Sequence, residues 1–487
     1  MQLCSWRITS TSRVRHWSSM EEVPLSDNSL FTSVIEEADA QSREIVKSRA
    51  LITVCIGFFM VSLDATVVNV ALNSLRLSLH VGLSGLQWTV DSYTLAFAAL
   101  LLSAGALGDI FGPKKVFNVG LIVFSLASAL CGLSTSLGAL LASRVLQGVG
   151  AALLVATSLS LLQKIFVEPA DRARAFGVWG GVGGVAVAAG PVLGGFLISM
   201  FGWPSVFLVN VPFGILGVIL SARYLPKMPG EARRINFGAQ VLSAVALGAL
   251  AFLFISAGAH GWSSRDVQIA AAAFAIATCL FLGIERFSAN PMLPRGIFRS
   301  RIFSAATTVG MIINFGFYGQ LFVLSLYFQQ ICKYSTMETG LALLPQAIVC
   351  SLTAFYCGRV TARTGPGFPM KVGLLAGALG LFGLTFANGN SSYVSVLIPM
   401  LAVGFGMSFT APATVAAGMS AAPAGQAGIV SGVINAARQS GSVMGIAVLG
   451  GLIGLSSNFE YGMHLAFWVA SVLFAGALLV TALRIRK

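Results

Sequence analysis

The sequence predicts an all-α integral membrane fold, with fourteen transmembrane helices arranged as two six-helix bundles and two further helices inserted between them. Three observations carry this. Hydrophobic residues make up 56% of the 487-residue chain and charged residues only 10%, a balance foreign to soluble domains. Runs of about 20 apolar residues, the length that crosses a bilayer, recur fourteen times. Two loop motifs also repeat at nearly one offset. Gly105 to Gly358 and Gly112 to Gly365 are both 253 apart, and PADRARAFG from Pro169 returns as PAGQAGIVSG from Pro423 at 254. Matches at one spacing indicate a duplicated six-span unit.

The spans fall near 50–73, 88–110, 115–135, 139–163, 175–199, 203–224, 236–259, 267–287, 302–330, 340–362, 370–388, 393–417, 428–455 and 463–483. The chain divides accordingly. Residues 1–49 form a tail, 50–225 the first bundle, 226–300 the two inserted helices with their linkers, and 301–487 the second bundle with a short basic end. The tail is polar and holds seven acids, so it is expected to be cytoplasmic and without fixed structure. Its first 19 residues have arginines but no apolar core, which excludes a signal peptide. Met20 is a second candidate start.

A net charge of +13 invites a nucleic-acid reading, but its location argues otherwise. The tail and alternate loops hold 25 of the 30 Lys and Arg residues, whereas the opposite loops hold only Arg76, Arg265 and Lys333. This bias predicts that both termini are cytoplasmic. The charge therefore encodes orientation, and no nucleic-acid partner is expected. Trp88, Trp203, Trp262 and Trp468 fall at outer span ends, where interfacial anchors belong. Seven Cys and four His residues show no ligand spacing, so neither a metal nor a cofactor is expected. No Walker A sequence occurs, so the chain does not hydrolyse ATP itself.

Apart from the charges at the cytoplasmic span ends, four lie within the membrane: Asp64, Asp91, Arg144 and Arg438. A carboxylate at the middle of a membrane helix costs about 2.5–3.5 kcal/mol on insertion scales, so such residues mark function. Asp64, Asp91 and Arg144 are expected at similar depth in the outer half. They form a candidate proton-coupling network in which Arg144 balances one acid and leaves the other free to take up a proton. Helical phase adds a constraint. Ser62, Thr66, Asn69 and Asn73 share one strip of span 1, and Asp64 points almost directly away from it. Either Asp64 faces the cavity while the strip packs on neighbours, or Asp64 faces Arg144 inside the first bundle.

In span 13, Asn435, Arg438, Gln439 and Ser442 fall on one face, either a wet cavity wall or an interhelical hydrogen-bond seam. Phe315, Phe317, Tyr318, Phe322 and Tyr327 in span 9 either stack on flat substrates or face lipid. Asn69, Gln147, Asn314, Phe315, Tyr318, Asn435, Arg438 and Gln439 are the substrate-cavity candidates. Span 5 is rich in glycine from Gly180 to Gly195, which permits close helix approach with or without a hinge at Pro191. Its GxGxxA segment follows no strand, so it does not signal a dinucleotide site.

These motifs, in this order, resemble the fourteen-span drug:proton antiporter family of the major facilitator superfamily, from about Arg49 to the C-terminus. LDATVVNVAL (Leu63 to Leu72) resembles the first-span motif, with Asn73 where Pro is usual. GALGDIFGPKK resembles the gating loop at Gly105, Asp109, Gly112, Lys114 and Lys115, with Ile110 and Pro113 in place of usual basic residues. RVLQG matches at Arg144, Gln147 and Gly148. AGPVLGG is similar to the antiporter motif at Gly190, Pro191, Gly194 and Gly195. FGWPSVFLVNVP keeps Trp203, Phe207, Asn210 and Pro212. The resemblance implies a proton-coupled exporter of drug-like or amphipathic small molecules in the bacterial cytoplasmic membrane, with substrate, protons and the lipid bilayer as partners. Asp109 then acts as a latch, although a solvated helix-end charge is equally consistent. An exporter dedicated to one metabolite or antibiotic is the alternative, and a membrane-embedded sensor the non-transport one. Involvement of a periplasmic adaptor protein is left open, and no enzyme activity is expected.

Overall fold

The computed structural model describes residues 28–230, 237–288, 296–421 and 427–485. Among these residues there are fifteen α-helices and no strand. They are α1 (Asn28–Leu79), α2 (Leu83–Phe111), α3 (Pro113–Gly132), α4 (Leu137–Ile165), α5 (Pro169–Phe201), α6 (Ser205–Leu208), α7 (Asn210–Tyr224), α8 (Phe237–His260) and α9 (Arg265–Phe287), followed by α10 (Arg301–Leu326), α11 (Thr336–Thr364), α12 (Gly367–Leu384), α13 (Tyr393–Ser420), α14 (Ala427–Leu455) and α15 (Phe459–Arg484). A π-helical turn, Tyr327–Ile331, extends α10.

Twelve helical spans among the described residues are long and apolar enough to cross a membrane, and α2 adds a thirteenth if its two segments count as one. The expected count of fourteen is thus only partly recovered. The 428–455 span is present as the 29-residue α14, but Asn435, Arg438 and Gln439 hold down its hydropathy. Outward faces are apolar, as at Leu126 and Leu130 of α3 and Ile269, Ile276 and Leu280 of α9. With the backbone bonding of each span satisfied within its helix, that surface suits hydrocarbon.

Helix α2 bends by 54° between Leu101 and Ser103. At the bend, Gln240 of α8 donates to the Ala99 carbonyl and accepts from Ser103 Oγ. A side chain that captures a carbonyl of the helical ladder kinks a helix.

Helices α1–α7 pack as one group, with α2 and α3 against α4 and α3 against α7, and α10–α15 pack as another. Contacts between them include α5 with α11 and α2 with α14, and Gln329 of the π-helical turn donates to the Val70 carbonyl of α1 at 3.1 Å. Helix α8 covers the α2–α14 seam, where Ala251 and Ile255 meet Val443 and Ala447, and α9 packs on α8.

Two expectations need correction. Residues 28–49, expected to lack structure, are helical. The segment has no Gly or Pro and many Glu, Ala, Gln, Arg and Lys residues, all good helix formers. Residues 1–27 lie outside the described residues. Trp203 is not an interfacial anchor: it is 8% exposed and its indole donates to Ser78 Oγ at 3.0 Å, pinning the α5–α6 connection to α1. Trp262 and Trp468 are exposed, as anchors would be.

Candidate functional site

Inside the first group of helices, Arg144 of α4 meets Asp64 of α1. The guanidinium Nη1 lies 2.5 Å from Asp64 Oδ2, and both side chains are fully buried. Arg144 Nη1 also donates to Gln147 Oε1 at 2.7 Å, and its Nε donates to the Thr89 carbonyl at 3.0 Å. Gln147 Nε2 donates to Asp64 Oδ1 at 2.7 Å and approaches Ser128 Oγ at 2.9 Å. Asn210 Nδ2 reaches the same Oδ1 at 3.3 Å. The Tyr93 ring covers the guanidinium at 4.3 Å and Phe207 lies 5.6 Å away. Nearly every polar atom of the pair is therefore used, which is the condition under which a buried ion pair survives desolvation.

Of the two orientations open to Asp64, this is the second: it faces Arg144 within its own bundle. The polar strip of α1 does point elsewhere. Thr66 Oγ1 donates to the Leu63 carbonyl at 3.2 Å and reaches the Val187 carbonyl of α5 at 3.4 Å. Asn69 is 2% exposed, with its amide on the Ala65 carbonyl at 3.2 Å, so it lines no open wall.

Asp91 does not join the pair. It is fully buried, and among the described residues neither carboxylate oxygen has a hydrogen-bond partner. The reason is helical phase on α2. Thr89 and Tyr93, four residues apart, face Arg144, and Asp91 between them turns about 200° away. It shares a face with Gln87, whose amide donates to the Ile446 and Ala447 carbonyls of α14 at 3.1 Å. Similar depth was legible in the sequence, but depth alone did not identify the partner. Thr89, Tyr93, Ser128 and Asn210 had no assigned role. Only the four-residue spacing of Thr89 and Tyr93 and the presence of Asn210 in the span 6 motif signalled them.

The antiporter-motif glycines sit where helices touch most closely. A Cβ at Gly190 would collide with Thr66 Oγ1, and at Gly194 it would lie 2.9 Å from Val67 Cγ2. At Gly195 it would lie 2.8 Å from the Thr336 carbonyl of α11, and at Gly340 it would strike the Pro191 carbonyl. Farther along the same face Ser351 Oγ still donates to the Gly184 carbonyl at 3.0 Å. Beyond that the helices part. A Cβ at Gly177, Gly180 or Gly181 of α5, or at Gly358 of α11, would meet nothing within 4 Å. The α5–α11 contact is closed toward the Phe201 and Thr336 ends and open toward the Pro169 and Thr364 ends. A pocket lies at the apex of this wedge. Thr66, Val187 and Pro191 line one side, and Phe317, Leu321, Leu343, Gln346 and Ala347 line the other.

The remaining cavity candidates divide. Asn314 is buried with its amide on the Gly310 carbonyl at 3.0 Å, Phe315 is 6% exposed, and Gln147 belongs to the ion-pair network. Phe322 and Tyr327 are fully buried in the core of the second group, so they neither stack on a ligand nor face lipid. Tyr318, Asn435, Arg438 and Gln439 are partly accessible. Arg438 Nη1 donates to Asn435 Oδ1 at 3.4 Å.

At the open end, Gly112 links α2 to α3 with φ +89°, and Pro113 begins α3. Side chains are disfavoured at that φ, and a Cβ there would also strike the Met228 carbonyl. Lys114 Nζ donates to the Leu225 and Ala222 carbonyls at the C-terminal end of α7, a position that favours a cation. Gly105 and Asp109 are half-buried and Lys115 is exposed.

Two helical groups, a wedge between them and a buried charge pair at mid-span define a membrane transporter. The Major Facilitator Superfamily profile matches residues 54–446. The chain is 36% identical over 431 residues to the methylenomycin A resistance protein of Bacillus subtilis, covering 88% of this chain and 92% of that one. It is 36% identical over 413 residues to the multidrug resistance protein Stp of Mycobacterium tuberculosis, covering 84% and 77% respectively. The fold is similar to a crystal structure of a bacterial homolog of the human lysosomal transporter Spinster, inward-facing and unoccupied. The TM-score is 0.62 at 15% identity, covering 90% of this chain and 97% of that one. The chain belongs to the Major Facilitator Superfamily, among transporters of the drug:proton antiporter type. It is a multi-pass membrane transporter and not an enzyme.

Proposed function

We propose that this chain is a proton-coupled exporter of drug-like or amphipathic small molecules, working by alternating access across the bacterial cytoplasmic membrane. The observation that carries the reading is the α5–α11 wedge, closed at one end and open at the other, beside the buried Asp64–Arg144 pair. The resistance proteins to which the chain is similar support the export of toxic compounds. Both termini and the loops rich in Lys and Arg are cytoplasmic, so the open end faces inward. The full complement is fourteen spans, with α14 as the thirteenth and α8 and α9 as the inserted pair.

In this reading Asp64 carries the coupled proton. Protonation removes the charge that holds Arg144, loosens α1 from α4, and lets the wedge close inside while it opens outside. Asp91 is a second proton carrier on α2, Gly190, Pro191, Gly194 and Gly195 form the sliding surface, and the Gly105–Lys115 loop is the inner gate. A membrane potential of 100 mV supplies about 2.3 kcal/mol per charge, nearly a fifty-fold gradient. That force suffices without ATP. The test is an efflux assay in a host lacking its own pumps, with the proton gradient dissipated during export. Export that collapses supports the proposal. Export that persists contradicts coupling, and the absence of any flux favours the membrane-embedded sensor.

A further inference from the structure

Arg438 is the second guanidinium within the membrane, and its surroundings differ from those of Arg144. Arg144 meets a carboxylate, an amide and a backbone carbonyl. Among the described residues Arg438 has a single side-chain partner, Asn435, at 3.4 Å, and its buried Nε has none. Among the described residues no carboxylate pairs with it. A charge held this way is expensive unless something arrives to compensate it.

The surroundings suit an incoming group. Gly310 of α10 leaves room for the side-chain stem, since a Cβ there would lie 3.2 Å from Arg438 Cγ. Nη1 is directed at Asn435, which leaves the Nε–Nη2 edge, the fork that matches a carboxylate bidentately. Tyr318 lies within electrostatic reach of Arg438 and also of Tyr93, the ring that covers Arg144. Phe317, adjacent to Tyr318 in the chain, faces the inter-bundle pocket together with Leu321, Leu343 and the neutral Gln346. The Tyr318 ring stands edge-on to Phe317 with centroids 5.3 Å apart, so the surroundings of Arg438 connect through Tyr318 to the apolar lining at Phe317.

We infer that Arg438 binds the anionic group of the exported compound, so the cargo class is amphipathic organic anions, typically carboxylates. This rests on the export reading above. The carboxylate sits on the Nε–Nη2 edge, and the apolar body lies toward Phe317 and Leu343. Asn435 and Gln439 orient the fork. A lipid phosphate does not reach it, because Arg438 lies roughly 16 Å from the Ala427 end of α14 at 1.5 Å per residue.

The test uses the full-length protein in phosphatidylcholine vesicles, which contain no anionic lipid, under an imposed proton gradient. The probes are fluorescein, an anion, and rhodamine 6G, a cation on the same ring scaffold. The wild type is expected to move fluorescein faster. Arg438→Gln is expected to lower fluorescein flux about ten-fold or more, with rhodamine 6G flux unchanged or raised, so the second dye doubles as a folding control. Fluorescein flux that survives Arg438→Gln overturns the inference, as does a wild type that moves only rhodamine 6G. Should Arg438→Gln lose both dyes, Arg438→Lys decides: fluorescein flux restored upholds the need for a cation, and flux absent overturns it. A wild type that moves neither dye contradicts the export reading itself, and the inference falls with it. A requirement for added phosphatidylglycerol before fluorescein moves assigns Arg438 to a lipid headgroup and overturns the substrate role.

Discussion

Gln147 holds both members of the Asp64–Arg144 pair, accepting from Arg144 Nη1 at 2.7 Å and donating to Asp64 Oδ1 at 2.7 Å. The amide closes a ring around a salt bridge that itself spans 2.5 Å. Since Gln147 lies one turn beyond Arg144 on α4, a single helix face supplies both the counter-charge and the group that fixes its geometry. Opening the bridge therefore leaves Arg144 with Gln147 and the Thr89 carbonyl, so the cation is not stranded when Asp64 is protonated.

Removing one partner of this pair should be costly, and removing both less so. Arg144→Met alone is expected to destabilise the protein by about 3–5 kcal/mol, because it leaves a buried carboxylate uncompensated. Combining it with Asp64→Asn should recover part of that loss, with a coupling energy of about 0.5–3 kcal/mol. Thermal unfolding of the detergent-purified variants measures this, and additive losses would contradict the pairing.

Asp91 should respond in the opposite sense. Its buried carboxylate has no hydrogen-bond partner among the described residues, so Asp91→Asn removes a desolvation cost without breaking a bond seen there. The variant is expected to be neutral or stabilised by about 1–3 kcal/mol. A loss comparable to that from Arg144→Met would mean that Asp91 is part of the same network.

The glycines of α5 should fall into two classes. Gly195→Leu collides with Thr336 and Met337 in the present conformation, and is expected to shift the protein away from it. A Cβ at Gly181 meets nothing within 4 Å here, yet Gly181→Leu is expected to abolish transport by preventing closure of the open end. Both should express, and alkylation of a cysteine placed at Gly177 should rise in Gly181→Leu and fall in Gly195→Leu. Equal effects on the two variants would contradict alternating access at this seam.

The gating loop should be stabilised by its geometry more than by charge. Gly112→Ala places a side chain at φ +89° and against the Met228 carbonyl, an expected loss of about 1–2 kcal/mol. Lys114→Ala removes donors to the α7 C-terminus and should cost only about 0.3–1 kcal/mol. Melting curves of the two variants rank them directly.

Much of this was legible in the chain. Hydropathy located the helices because lipid imposes length and apolarity on each span separately. The cost of a membrane charge singled out Asp64 and Arg144, and the phase of span 1 correctly set Asp64 apart from Thr66 and Asn69. What stayed hidden depended on which neighbour each face meets. Asp91 shares a depth with Arg144 but faces elsewhere. Trp203 occupies an anchor position and is buried on Ser78. Gly181 and Gly195 read as one glycine-rich surface, whereas α11 touches only the second.

The central claim is that Asp64 carries the proton exchanged for substrate. Substrate-induced proton release from the purified transporter, followed with a pH dye in weak buffer, tests it most directly. Wild type is expected to release protons when an exported compound binds, and Asp64→Asn to release correspondingly fewer and to lose gradient-driven export while still binding the compound. Full proton-coupled export by Asp64→Asn would contradict the account.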